Sequence, residues 1–424
     1  MKTQWLCQNS VKIEEWLSKQ EQQYELPLYS SVDVRDAGFK RAIVDTNLFP
    51  AGFNNLCALN ISDAVIAFKE TLLTRFPHCE NVLIVCEEHT RNTWYLENVR
   101  ALKHILELAG FDPIVATFLD PSMTGSHHLD TATGEKLEVY SLKDLLDRYH
   151  NGAIKLDLLI LNHDLTNGIP DLLKNLDLPM LPPPQAGWHY RLKSHHFDHT
   201  ASIVTDFAAA MDTDPWLFSC LYNVCDQVNI NEEDDRQKMA DSASDLFKRI
   251  EQKYKEYNIS EKPLIFMKSD YGTYGMGVRA IEDPADIIDL NRKGRNQLYK
   301  GKSSKVIERF LLQEGVPTIN SVDNYPAEVC LYQISNRFVG GFYRYNDEKS
   351  GRENLNSRGM KFKSICVPAS YLSEVARKTD CPDESAPSST QAGPSGLVGY
   401  QVLARIAGLA AAREIQNLKV EASL

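Results

Sequence analysis

The chain has 424 residues, 43% hydrophobic and 24% charged, ordinary globular proportions that exclude a disordered, collagen-like or coiled-coil protein. Its 46 lysines and arginines stand against 57 aspartates and glutamates, a net charge of −11. That balance excludes a globally basic nucleic-acid surface and leaves room for a local basic pocket that holds a phosphate ligand.

The first predicted element is an amphipathic helix over Lys12 to Gln23, in an N-terminus too charged for a signal peptide. After Pro27, Phe39 to Thr46 is predicted as a strand running into a loop with proline and glycine. Ile61 to Phe76 has helical spacing, with Asn60 or Ser62 as its cap. NVLIVCEE, a helix through Leu108, DPIVATF, a helix over Leu142 to Tyr149, and LDLLILNHD alternate as in a parallel sheet with crossover helices. The proline-rich Pro179 to Gln185 leads into a new region, where Glu232 to Tyr257 is a long charged helix. From Pro263 strands dominate (PLIFMKSD, MGVRAIED, SKVIERFLLQ, AEVCLYQI, NRFVGGFYRYN, MKFKSICV), as an antiparallel or mixed sheet. Residues 379–396 are low in complexity and expected to be disordered. A helix over Gly399 to Gln416 closes the chain, and its apolar run, broken by Arg405, is too short for a bilayer. The nine cysteines contain no C-x-x-C pair, and the expectation is a soluble cytoplasmic protein with reduced thiols.

Four stretches carry chemistry. FMKSDYGTYGMGVRAI is a strand ending at Lys268, a loop punctuated by Gly272, Gly275 and Gly277, and a second strand from Val278. Glycines let backbone N–H groups approach phosphate oxygens, and a strand-borne lysine adds positive charge. No helix follows, so neither a Walker A loop nor a dinucleotide turn fits; an ordinary flexible hairpin stands level with a phosphate-covering one. Downstream, Glu308 in SKVIERFL is either a carboxylate facing a nucleoside or, with Arg309, an exposed position of an edge strand. Glu328 opens AEVCLYQI and is either a Mg²⁺ ligand or a solvated strand end. In AIVDTNLFPAGFNNL, Asp45 and Asn47 share one strand face and offer hard oxygen ligands, although aspartate and asparagine more commonly cap a turn. Phe53, Asn54 and Asn55 then offer donors to a small charged substrate. His195, His196 and His199 lack accompanying ligands for a metal, and a solvated or phosphate-adjacent helix face is expected. Cys57 and Cys330 are expected as buried thiols.

Together, the D-x-N strand and its Phe/Gly loop, VLIVCEEHTRN, LKSHHF and the lysine with its glycine-rich loop follow the order of eukaryotic-type glutathione synthetases. VDTNLFPAGFNNL and KSDYGTYGMGV more closely resemble the proteobacterial glutamate–cysteine ligase family of iron oxidisers, over most of the chain. The resemblance implies an α/β ATP-grasp fold with a parallel-sheet substrate domain, permuted as in those synthetases. It implies residues 1–78 as an N-terminal segment feeding the core, 79–185 as the substrate domain and 186–424 as the ATP-grasp domain. Asp45, Asn47 and Glu328 would bind Mg²⁺; Lys193, Lys268, Gly272, Tyr274, Gly275, Met276, Gly277 and Glu308 would bind ATP. Arg35 would lie near the substrate carboxylates and, with Lys268, act in catalysis; Arg91, Asn92, Arg358, Lys361 and Lys363 would contact substrate.

The implied reaction is ATP-dependent ligation of glutamate to cysteine through an acyl phosphate, the first step of glutathione biosynthesis. Glutathione synthetase or a non-catalytic nucleotide-binding module are the alternatives. Asp45 stands where the synthetases have glutamate, and Glu353, Asn354 and Asn356 are a rival set of metal oxygens. The expected partners are small molecules, with no nucleic acid and no membrane. A homodimer stays open, because the amphipathic ends can pack within the chain or across two copies.

Overall fold

The computed structural model describes residues 3–88, 91–118, 124–272, 277–299, 306–367 and 394–421. Along the chain, α1 (Thr3–Glu21) precedes β1 (Tyr29–Asp36) and β2 (Arg41–Asn47). Then come α2 (Ala58–Arg75), β3 (Asn81–Cys86), α3 (Thr93–Leu108), β4 (Asp112–Thr117), β5 (Ser126–Asp130), β6 (Lys136–Ser141), α4 (Leu142–His150), β7 (Leu158–Asn162) and β8 (Met180–Leu181). The second half holds α5 (Lys193–Ala210), β9 (Tyr222–Cys225), α6 (Glu233–Glu256), β10 (Ile265–Ser269), β11 (Arg279–Ile281), α7 (Ala285–Ile288), α8 (Arg292–Tyr299) and β12 (Phe310–Glu314). It ends with β13 (Ser321–Val322), β14 (Tyr325–Ile334), β15 (Arg337–Tyr345), β16 (Lys361–Ile365) and α9 (Pro394–Glu421).

The architecture is mixed α/β. One sheet runs β5-β6-β4-β3-β7-β8 and is parallel except for its β5 edge. NVLIVC and LLILN can be unbroken apolar runs because both faces are covered, by α2 and α3 on one side and α4 on the other. A second sheet, β11-β10-β12-β9, is antiparallel, and α6 packs Met239, Ala243, Leu246 and Ile250 against one face of it.

The third sheet, β16-β15-β14-β1-β2, is antiparallel throughout and joins the two ends of the chain. Strand alternation divides its residues. Val32, Val34, Val329, Leu331 and Tyr343 enter a core with α1, α5 and α9. Asp33, Arg35, Glu328, Cys330 and Arg344 share the opposite face. Helix α9 is apolar almost all round because it is a core helix; its Arg405 pairs with Glu14 and Glu21 of α1. Among the described residues no helix is long and apolar enough to cross a membrane.

The structure corrects several expectations. Strand β1 is additional, its Ser31-Val32-Asp33-Val34-Arg35 alternation having only two aliphatic positions to mark it. Helix α2 begins at Ala58 with Cys57 as its cap and no side-chain cap bond. SKVIERFLLQ becomes strand only from Phe310. Cys57 is joined to Cys366 in a disulfide, whereas Cys330 is a buried thiol. Residues 379–393 of the low-complexity segment lie outside the described residues.

Candidate active site

Asp33 pairs directly opposite Asp45, and the register then slips so that Val34 faces Ile43. Val44 is therefore the extra residue of a bulge, a device that re-aims neighbouring side chains. Its carbonyl accepts from Lys268 Nζ at 3.2 Å and from Gln313 Nε2 at 3.3 Å, tying the β1–β2 hairpin to the second sheet. Lys193, in the first turn of α5, donates to Asp45 Oδ1 at 2.7 Å. The Trp188 indole lies 4.7 Å from both Lys193 Nζ and the Arg191 guanidinium, and the Phe197 ring lies 5.3 Å from Lys268 Nζ. Aromatic faces thus hold three cations where little water reaches them.

Across the sheet, Glu328 accepts from Arg35 Nε at 2.8 Å and pairs with Arg344 Nε at 3.4 Å. Arg344 also reaches Asp33 and, at 2.8 Å, Cys330 Sγ. The remaining Arg35 nitrogens donate to the carbonyls of Gly351 at 3.1 Å and Glu353 at 2.9 Å, anchoring the β15–β16 loop.

These contacts set the charges. Burial works against an ionised Asp45, but Lys193 and Lys268 hold its carboxyl well below the usual range. Burial opposes Glu328 too and is outweighed by Arg35 and Arg344. At Asp33 burial prevails: against Arg344, it combines with Glu328 and Asp45 to push the carboxyl up. Burial brings Lys268 down to about 8, with Asp45 opposing and Lys193 assisting.

Two adjoining cavities meet at this cluster. A narrow slot of about 90 Å³ runs between Phe266, Val278 and Val316, with Gln313 and Glu314 at its edge and Lys268 and Glu328 in its wall. A larger cavity of about 230 Å³ is lined by Ser31, Asn47, Asp164, Trp188, Tyr332 and Phe362, among others. Asp33, Asp45, Lys193 and Asn356 line both. Gly272, at the base of the glycine-rich loop, also lines the larger cavity; a Cβ there would meet the Trp188 indole at 2.3 Å.

The structure therefore brings Arg35, Asp45, Asn47, Lys193, Lys268, Gly272 and Glu328 to one place. Asn47 also makes the turn contact weighed above, its Oδ1 accepting from the Phe49 amide at 2.9 Å. Asn354 lines the slot beside Asn356, while the Glu353 carboxylate turns back to Lys349 and the Ser350 amide. Tyr274, Gly275 and Met276 lie outside the described residues, and Gly277 borders a cleft beside the slot.

Other candidates lie elsewhere. Glu308 is exposed ahead of β12, its carbonyl accepting from the Val228 amide. Arg91 and Asn92 are exposed, and Asn92 caps α3 through the Tyr95 amide. Arg358 is exposed, and Lys361 and Lys363 pair with Asp347 and Asp323. Phe53 is a core residue whose ring contacts Tyr29, Phe68 and Tyr332. Asn54 and Asn55 are half-buried beside it and line neither cavity. His196 is not solvated as expected: it is buried, with Nδ1 2.9 Å from Glu414 Oε2. Sequence reasoning missed Asp33, Trp188, Asp164, Gln313 and Arg344. For Asp33 the signal was its alternation with Arg35; the others have no local motif.

The family described as glutamate-cysteine ligase matches residues 3–415. A solved structure named "Putative gamma-glutamylcysteine synthetase", from Methylobacillus flagellatus KT, is 33% identical with a TM-score of 0.84, covering 98% of this chain and 95% of that one. A D-alanyl-alanine synthetase A from Vibrio cholerae is 11% identical over 68% of this chain and 74% of that one, and its TM-score of 0.32 carries no argument. No curated protein matches. The cation-lined double cavity and the family match define an ATP-dependent ligase acting on small molecules. Within that class, the chain belongs to the glutamate–cysteine ligase family, whose reaction forms γ-glutamylcysteine.

Proposed function

We propose that the two cavities divide this ligation between them. The slot takes the nucleoside of ATP, the junction takes the γ-phosphate with the γ-carboxylate of glutamate, and the larger cavity takes the amino acids. The observation that carries the reading is the set of residues lining both cavities: Asp33, Asp45, Lys193 and Asn356. A γ-carboxylate oxygen attacks the γ-phosphorus and ADP leaves, giving an acyl phosphate. The cysteine amine then attacks the acyl carbon, and phosphate departs with the amine proton. Lys193 and Lys268 neutralise the transferring phosphoryl group.

Asp33, Asp45 and Glu328, with the amide oxygens of Asn47 and Asn356, are hard donors, and the unfavourable crowding of the three carboxylates fits a divalent cation among them. These residues would hold Mg²⁺, which supplies further neutralisation of the phosphates when bound. In this reading the β1–β2 hairpin and residues 186–424 together make an ATP-grasp core of permuted order, 79–185 is the substrate domain, and the enzyme works in the cytoplasm. The pairing of β1 with β14 supports that order. Purified protein should release ADP with ATP, Mg²⁺, glutamate and cysteine. Release only with γ-glutamylcysteine and glycine would overturn the proposal in favour of a glutathione synthetase, and release with no pair would leave a nucleotide-binding module.

A further inference from the structure

The larger cavity changes character along the strands that wall it. Side chains on one strand face recur every second residue, so β14 presents Glu328, Cys330 and Tyr332 in turn, and β15 presents Arg344 and then Phe342, opposite Cys330. Charge at the junction end thus gives way to aromatic rings about 7 Å farther along β15. On β16, Phe362 stands opposite Arg344 and completes the same wall, with Met360 just ahead of the strand.

Packing fixes these rings. Tyr332 and Phe342 are buried, with centroids 5.6 Å apart. Phe362 meets Phe342 edge to face at 5.2 Å, and Phe53 meets Tyr332 in the same way, also at 5.2 Å. Gly52 lies directly against the pair: a Cβ there would meet Tyr332 Oη at 2.5 Å and the Phe342 ring at 3.1 Å. Phe362 and Met360 are 41% and 40% exposed, so the corner they make with the two buried rings is accessible to a ligand and is not closed core.

We propose that Tyr332, Phe342, Phe362 and Met360 receive the side chain of cysteine and make this corner the determinant of acceptor specificity. This rests on the reading of the double cavity given above. Glutamate carries three charged groups joined by methylenes, whereas the cysteine thiol is the one soft, weakly hydrogen-bonding group among the substrates. With the cysteine amine at the junction, where the acyl phosphate forms, its side chain extends along β14 and β15 towards the rings. Sulfur gains from contact with aromatic rings, whereas a hydroxyl loses its water on entering such a corner.

The test compares three acceptors at saturating ATP and glutamate: cysteine, α-aminobutyrate, which carries a methyl in place of the thiol, and serine. In the wild type kcat/KM should fall in that order, with serine at least about tenfold below α-aminobutyrate. A smaller gap overturns the proposal. In Phe362→Ala the KM for cysteine should rise about 3- to 10-fold, and the preference for cysteine over serine should shrink by at least about threefold. KM values for glutamate and ATP should stay within about twofold of wild type. The preference is a ratio within one preparation, so it does not depend on how much of the variant folds. A preference that shrinks less overturns the proposal, as does a KM for glutamate that rises in parallel with that for cysteine. Failure of the wild type to make γ-glutamylcysteine would instead overturn the reading of the site.

Discussion

Two buried ionic clusters adjoin β2, and adjacent residues of that strand serve them. Asp45 faces Lys193, Lys268 and the cavities. The Thr46 carbonyl accepts from Arg191 Nη1 at 2.8 Å. Arg191 grips Glu414 of α9 through two bonds, at 2.8 and 3.0 Å, and His196 completes the group. The second cluster is sealed, with Arg191, Glu414 and His196 no more than 3% exposed, and each charge has a partner. The first opens on cavities and crowds its acids until Asp33 resists ionising. Sealed and balanced charge is a device for holding a strand in place; crowded charge at a cavity wall awaits a ligand.

Substituting each cluster should separate these roles. Asp45→Ala is expected to lower kcat/KM by at least about 10³-fold, since it removes charge at the reacting end of the site. The melting temperature should fall less than for a variant of the sealed cluster, because the Asp45 side chain is 37% exposed. Glu353→Ala should remain active because that carboxylate faces Lys349. An active Asp45→Ala beside a dead Glu353→Ala would place the reacting end on the other set of oxygens.

Glu414→Gln should do the reverse. Stranding a buried guanidinium costs about 3–5 kcal/mol, while the folded fraction should keep kcat within about tenfold of wild type. The pH dependence has a definite sign. Arg191 and His196 outweigh burial and hold the Glu414 carboxyl down at about 2, below its ordinary 4.5. Its contribution is therefore complete above about pH 4.5 and is lost as the pH falls through about 2. Denaturant unfolding of wild type and variant should converge over that window.

The same comparison explains what could be read beforehand. Asp45, Lys193 and Lys268 sit in local patterns, a D-x-N strand, a lysine before a helix and a lysine before glycines, so chemistry and spacing exposed them together. The parallel sheet was legible for a similar reason: strands covered on both faces are unbroken apolar runs. Arg344, Asp164 and Trp188 reach the site only through strand order, turn conformation and packing, which no local spacing records. The EEHTRN segment shows the boundary well: its motif is local, but Arg91 and Asn92 lie at an exposed helix start, while Glu87 accepts from the Asp164 amide at the cavity.

Lys268 offers a finer probe of the open cluster. Burial lowers it to about 8 from 10.5, so the folded protein alone favours the neutral amine between those values. Its own effect on stability is then a rise with pH across that window. ATP phosphates favour the charged amine, so nucleotide affinity should weaken as pH rises through about 8, by at most about tenfold per unit. Calorimetry in two buffers at pH 8.5 should show proton uptake on ATP binding, and Lys268→Met should remove it. Uptake that persists in the variant would locate the proton elsewhere.

The smallest effects are expected where the family resemblance and the geometry part company. Strand β16 alternates its side chains, and it is Phe362, between Lys361 and Lys363, that lines the larger cavity against Phe342. Lys361 and Lys363 lie on the other face, paired with Asp347 and Asp323 in exposed ion pairs, an arrangement that contributes little. Lys361→Ala and Lys363→Ala should each leave KM for every substrate within about twofold and stability within about 0.5 kcal/mol. Phe362→Ala, which opens the cavity wall, should weaken amino-acid binding more than either. A larger loss from a lysine than from Phe362, measured in the same steady-state assay, would mean that β16 meets substrate with its opposite face and that the larger cavity is not the amino-acid site.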